Sequence, residues 1–437
     1  MPDLPTWLRG DLDAAAFPYQ AVLAEYHRVG KHHVPTRLLT TLDSARTRLR
    51  AVRGPDPAIR RLRRFLDTAL DKHDGRYDEP TYLALSLLPI PSPDNEDWNP
   101  TAALYQHDRL LVQLVADTLR FELAAAGGST NLLPRDRPGQ PTAAMRHRHG
   151  LRAVEPAVGR LGLAARVSAA DPAGAAGQLW ALVDDDLTDD ERLALELSML
   201  PVYLLHDEYL FIRVLQAFEV SFALVAGYLQ ATVTALQHGD GPVAAALLRG
   251  AETAVTESAP LWSLLATMRV ESFNVFRRWT EGASAIQSRN YKAIESLCRR
   301  PDPRRLDSPA YRSVPEIRDR VLAGQLTIDD AYRAAVTAGT ASPAELGDLR
   351  QAMAAFAAAL RRWRQTHYRL AVRMLGRQPG TGYTEGTPYL RRVRGLPVFH
   401  VLAGTADTAT DAEPGCPFPS EQPSAVPAPT QPRADRT

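Results

Sequence analysis

Apolar side chains recur every three to four residues along nearly the whole chain, the spacing at which one face of an α-helix meets a core. With Ala, Leu and Arg dominating, that pattern predicts an all-α protein. Two helix starts carry capping boxes, in which a hydroxyl and a glutamate three residues on satisfy free amides: Thr188 with Glu191, and Ser342 with Glu345. Pro343 then occupies the first helical position, where its missing N–H costs nothing. The pattern runs unbroken to Leu375 and stops at Gly376, a helix about 50 Å long. Phe211, Leu215, Phe218 and Phe222 fall on one stripe of another helix, and such stripes more often pack a core than face a cofactor. The longest uncharged run, Val220 to Gln237, includes Ser221, Gln230, Thr232 and Thr234. It is too polar for a membrane span and predicts a buried core helix.

Pro-, Gly- and Asp-rich breaks at 90–100, 125–141, 238–242, 299–309 and 338–343 separate the periodic segments. They suggest an accessory N-terminal helical region over 1–185 and a helical core over 186–403. Residues 404–437, rich in proline, threonine and alanine, are expected to form a disordered tail.

Charge narrows the possible partners. Lys and Arg number 51 against 50 Asp and Glu, a net charge of +1, so no overall field favours nucleic acid or an anionic membrane. The N-terminus carries acids and lacks an apolar stretch of signal-peptide length. Two cysteines, Cys298 and Cys416, without a CxxC spacing support neither a disulfide framework nor a zinc site, and point to a cytoplasmic, reducing location.

The candidate chemistry gathers in two places. His367 shares a helix face with Trp363, Leu370, Ala371 and Met374, and the helix breaks into a loop holding Gly380, Gly382 and Gly386 with Thr381, Tyr383, Thr384 and Glu385. Glycines there permit positive φ and closure on a ligand. A lone histidine on an apolar face is ordinarily a hydrogen-bonded core residue. The second place follows Gly282, where Gln287, Arg289 and Lys292 open a helix; the two cations are three residues apart and hence neighbours on its surface. Alone, they would read as solvated charge. His107, His147 and His149 stand in the N-terminal region without a supporting motif.

Taken together, three segments resemble the tryptophan 2,3-dioxygenase superfamily of haem proteins. The first holds His206-Asp207-Glu208, Leu210-Phe211-Ile212 and Gln216-Ala217-Phe218-Glu219. The second holds Thr267-Met268, Phe273-Asn274, Phe276-Arg277 and Gln287-Ser288. The third holds Trp363-Arg364-x-x-His367, Arg373-Met374-Leu375-Gly376, Gly380-Thr381-Gly382 and Tyr389-Leu390-Arg391. They cover about a quarter of the chain, in the family's order.

The resemblance implies haem b held by His367, with Trp363 and Gly380 in the cofactor's surroundings. A neutral imidazole suits haem iron, and a single axial ligand leaves the opposite face open to O2. It also implies a homo-oligomer, a dimer or tetramer, with a small aromatic amino acid and O2 as partners. Phe211 matches a pocket phenylalanine, while Leu215 stands where the family commonly has a histidine. The family's carboxylate-gripping arginine becomes Lys292, a point charge in place of a two-pronged donor, with Arg289 one turn back. Thr381 matches the threonine that meets the substrate's amino group; Tyr383 and Glu385 replace small residues after it, and Glu385 is a candidate partner for an ammonium.

The activity this implies is insertion of O2 into the indole ring of tryptophan or a close relative, giving an N-formylkynurenine-type product. The changes at Leu215, Lys292 and Tyr383 admit an alternative, a haem-dependent monooxygenase or rearranging enzyme acting on a modified tryptophan or tyrosine. A non-catalytic haem-binding scaffold is the third possibility.

Overall fold

The computed structural model describes residues 3–52, 56–94, 97–339, 341–376, 378–382 and 384–403. Its regular elements are all helices, with no β-strand among the described residues, so the all-α expectation holds. The tail expected over 404–437 lies outside the described residues.

The central element is the helix His206–Gln237, 32 residues long and buried around nearly its whole circumference. By length and composition it could cross a membrane, yet 89% of its most apolar window is covered by protein, which makes it the core helix its polar interruptions predicted. Around it pack the helices Pro100–Ala126, Gly241–Ser258, Arg289–Cys298 and Ile328–Ala338. The helix Pro343–Leu375 lies against Gly241–Ser258 and carries Thr387–Gly395 on its far half. Its bounds, its Ser342–Glu345 capping box and its end at Gly376 (φ 57°) are those read from sequence. The Thr188–Glu191 box also forms.

Buried apolar side chains form one large cluster between Leu88 and Phe399 and a smaller one between Leu4 and Leu87 that adds Leu197 and Leu200. Helices 100–126, 140–160 and 172–186 therefore help build the main core, although they precede residue 186. Residues 3–52 and 56–87 form their own small helical layer, locked by the fully buried Lys31–Asp71 ion pair (2.7 Å) and by the Tyr26 hydroxyl on the Ala69 carbonyl (2.8 Å). A third cluster, which includes Tyr82, Leu83, Phe121 and Ile212, joins the two.

The start of helix 206–237 is fixed by a buried ionic network. Arg146 donates to Glu122 Oε1 (2.8 Å), Asp207 Oδ1 (2.5 Å) and Thr267 Oγ1 (3.1 Å). His206 Nε2 meets Glu122 Oε2 at 3.1 Å, and Asp207 Oδ2 accepts the Arg269 amide at 2.8 Å. Glu208 accepts the amides of Val202 and Tyr203 at 2.6 and 3.0 Å. The His-Asp-Glu triplet thus anchors the helix and its neighbours and does not line the cavity described next.

Candidate functional site

One cavity, of about 240 Å³, opens between helices 206–237, 270–280, 289–298 and 343–375 and the loop before 387–395. From helix 343–375 it receives Trp363, His367, Leu370, Ala371 and Met374, spaced so that all share one face. The His367 ring is sandwiched between aromatic neighbours: the Trp262 ring stacks on it (centroids 5.1 Å apart, 15° between planes) and Trp363 meets it at 5.6 Å and 61°. Burial alone pushes its pKa down to about 4, so the ring is neutral at physiological pH. The ring is part of the cavity lining, and no side chain or carbonyl among the described residues hydrogen-bonds to it. The indole Nε1 atoms of Trp262 and Trp363 are likewise buried without a partner. Core histidines are more often satisfied, as His107 is by Asp108 (3.0 Å) and Ser221 (3.3 Å). His147 is also buried without a partner among the described residues, so what sets His367 apart is its place in the cavity wall. His107, His147 and His149 do not reach this cavity.

Phe211, Leu215, Phe218 and Phe222 of helix 206–237 supply a second wall, extended by Phe273 and Phe276, whose rings lie 5.8 and 5.1 Å from that of Phe211. The predicted stripe therefore packs the core and faces the cavity at once.

The cavity's polar side is built at the start of helix 289–298. Ser288 caps that helix, accepting the Tyr291 amide at 3.1 Å. Lys292 points inward and is 2% exposed; its Nζ lies 3.7 Å from Glu295 Oε2, a carboxylate already held by Arg305 (2.7 Å between Nη2 and Oε2). Burial lowers the Lys292 pKa, and Glu295 opposes that shift. Arg289 turns the other way. Three residues is 60° short of a full turn, and its guanidinium pairs with Asp94, which also takes Arg320, outside the cavity.

A second cation in the wall is Arg364, 5% exposed, with Nε on the Tyr291 hydroxyl (2.9 Å) and Nη1 on the Leu396 carbonyl (3.0 Å). In the sequence Arg364 stands only as part of the Trp363-Arg364-x-x-His367 pattern. Its position three before His367, on the same helix face, was the available signal.

The structure brings two glutamates to the same side. Glu219, from helix 206–237, is hydrogen-bonded by Ser288 and by Asn290 Nδ2 (3.3 Å), yet burial lifts its pKa from the ordinary 4.5 to about 7. Glu79, from the N-terminal region, is lifted by burial and then by the charge of Glu219. An acid so shifted favours the folded state below pH 4.5, and that stability is lost as the pH rises through 7. Glu219→Gln is accordingly expected to make the loss of stability between pH 5 and 8 shallower, by on the order of 2–3 kcal/mol at the alkaline end. Denaturant midpoints across that range provide the check.

Gly380, Thr381, Thr384 and Gly386 line the cavity. Arg277 holds this loop through the Pro379 carbonyl, and the Gly380 amide donates to the Thr384 carbonyl at 3.0 Å. Gly382 (φ +66°) packs so closely on Ser284 that a Cβ would lie 2.6 Å from the serine Cβ. Gly380 lacks the positive φ expected of it; its requirement is space, since Thr384 Oγ1 fills the Cβ position. Glu385 is exposed and paired with Arg392 at 2.8 Å, off the cavity. Tyr383 lies outside the described residues.

The geometry defines an α-helical small-molecule site in which one neutral imidazole is offered to a ligand inside aromatic walls, with buried cations nearby. No protein-family model matches the chain. Among curated proteins it is similar to a tryptophan 2,3-dioxygenase from Anaeromyxobacter dehalogenans, 30% identical over 223 residues, a match covering 44% of this chain and 84% of that protein. A tryptophan 2,3-dioxygenase from Pseudomonas fluorescens is 27% identical over 230 residues, covering 45% of this chain and 81% of its own. The chain belongs to the tryptophan 2,3-dioxygenase family, as a divergent member.

Proposed function

We propose that this protein is a haem-dependent oxygenase that inserts O2 into the indole ring of tryptophan or a closely related aromatic amino acid. The observation that carries the proposal is His367: neutral, without a hydrogen-bond partner among the described residues, and facing a cavity whose walls are aromatic and aliphatic. The donor set fits haem b. A neutral imidazole is a suitable iron ligand, and Trp262, Trp363, Leu370 and Met374 give a flat apolar group the low-dielectric contact it needs. His367 would hold the iron, with Trp363 and Gly380 beside the porphyrin. Bound there, haem would supply the O2 activation that no side chain provides.

The chain's own residues bind and orient. Phe211, Leu215 and Phe276 would enclose the aromatic ring and exclude water, while Lys292 and Arg364 would hold the carboxylate and Thr381 would close over the amino acid with its loop. Arg289 and Glu385, committed to Asp94 and Arg392, are too far engaged to serve. Lys292→Ala is therefore expected to weaken binding of the aromatic amino acid about ten- to a hundredfold, the range for a buried hydrogen bond to a charge. Arg289→Ala should leave it within about twofold. Equilibrium titration of both variants decides between the two cations.

Leu215 favours a second reading. It places an aliphatic side chain in the cavity where the family commonly has a histidine, a change in the wall where a switch to a different reaction on a modified tryptophan or tyrosine would show. Incubation of the haem-loaded protein with aromatic amino acids under 18O2 tests both. Two heavy atoms in the product support dioxygenation and one supports the alternative. Haem binding without turnover of any aromatic amino acid would instead indicate a scaffold.

A further inference from the structure

We infer that Glu79, backed by Glu219, receives the amino group of the substrate, so that the cavity grips both ends of an amino-acid zwitterion. The inference rests on the proposal above that the cavity takes an aromatic amino acid.

Glu79 is 4% exposed, lines the cavity, and its Oε2 atom is buried with no hydrogen-bond partner among the described residues. A carboxyl removed from water and left unpaired is costly, and a fold keeps one chiefly where something else uses it. Its position is set from two sides. Asp78 accepts the Thr81 amide at 2.9 Å to start the short helix Glu79–Tyr82. The Glu79 amide donates to Gln287 Oε1 at 2.9 Å, and the same oxygen takes the Ser284 amide at 3.0 Å. Gln287 thereby ties Glu79 to the turn that leads into Ser288 and Lys292.

The charges around the two acids leave room for a cation. Glu79 faces Glu219, Lys292 and Asp78; Glu219 faces Ser288 and Asn290. Of these only Lys292 is positive, and it leans on Glu295 at 3.7 Å. Near neutral pH the two carboxyls therefore keep a proton, consistent with their raised pKa values. An incoming ammonium would supply the absent counter-ion and send that proton to solvent, while the ligand's carboxylate meets Lys292 and Arg364 close by. Residues 1–185 would then take part in specificity directly, through Glu79.

The test is calorimetric titration of the haem-loaded full-length protein with L-tryptophan and L-tyrosine and with their deaminated counterparts, indole-3-propionate and 3-(4-hydroxyphenyl)propionate. Runs in two buffers of different ionisation enthalpy count protons. The wild type is expected to prefer the amine-bearing member by about tenfold or more, with proton release. Glu79→Gln should bring that ratio close to one without weakening the deaminated ligand, and Glu79→Asp should restore part of it. A loss that fell equally on both members of a pair would mark a merely structural role and overturn the inference. An undiminished ratio in Glu79→Gln would overturn this inference alone. Binding of none of the four compounds by the wild type would overturn it together with the proposed function.

Discussion

Arg146→Ala is expected to destabilise the protein by about 3–5 kcal/mol, the usual cost of removing one member of a buried ion network. Arg146, Glu122 and Asp207 have side chains 0 to 1% exposed, so solvent cannot screen what is left behind. Burial raises the Glu122 pKa, but His206 and Arg146 more than reverse this, so the carboxylate is charged in the fold and loses one of its two partners. The damage should also reach the cavity. Asp207 accepts the Arg269 amide, and through it the network fixes both the start of helix 206–237, which carries Phe211 and Leu215, and the approach to helix 270–280. Denaturant unfolding is the measurement; a shift below about 1 kcal/mol would show that the network is replaceable. Combining Arg146→Met with Glu122→Gln and Asp207→Asn should recover part of the loss, because no unpaired buried charge then remains.

His367→Ala should have the largest effect on function. In the unliganded protein the substitution removes a ring that makes aromatic contacts but no hydrogen bond among the described residues, so the fold should survive at a cost of about 1–3 kcal/mol. Haem retention is expected to fall by about a hundredfold or more, since outer contacts of a metal ligand alone are worth ten- to a hundredfold. The check pairs helicity by circular dichroism with the haem-to-protein ratio after gel filtration. A folded variant that still retains stoichiometric haem would place the ligand elsewhere.

What was legible in the sequence was local. The ends of helix 343–375 could be read because a capping box, a proline at the first position and a terminal glycine act within one turn. His367 and Trp363, four apart, share a face by helix geometry alone. Arg289 and Lys292 show where such geometry stops. Being neighbours on a helix did not bring both inward, because Asp94, 195 residues from Arg289, offers an outward partner. Glu79 was invisible for the same reason. The Gln287 oxygen that positions it is 208 residues away, and no period or motif near residue 79 announces the contact. Glu219 left a fainter trace, as the last charged residue of helix 206–237, one turn after Leu215. Chemistry assembled from distant segments follows from packing and leaves little mark on any one of them.

The central claim is a bond between His367 and iron. Resonance Raman spectroscopy of the ferrous haem-loaded protein addresses it most directly, because an iron–histidine stretch appears only when an imidazole is the axial ligand. The expected result is such a band in the wild type that is lost in His367→Ala. The same band persisting in the variant, or a wild-type protein that takes up no haem at all, would contradict the account.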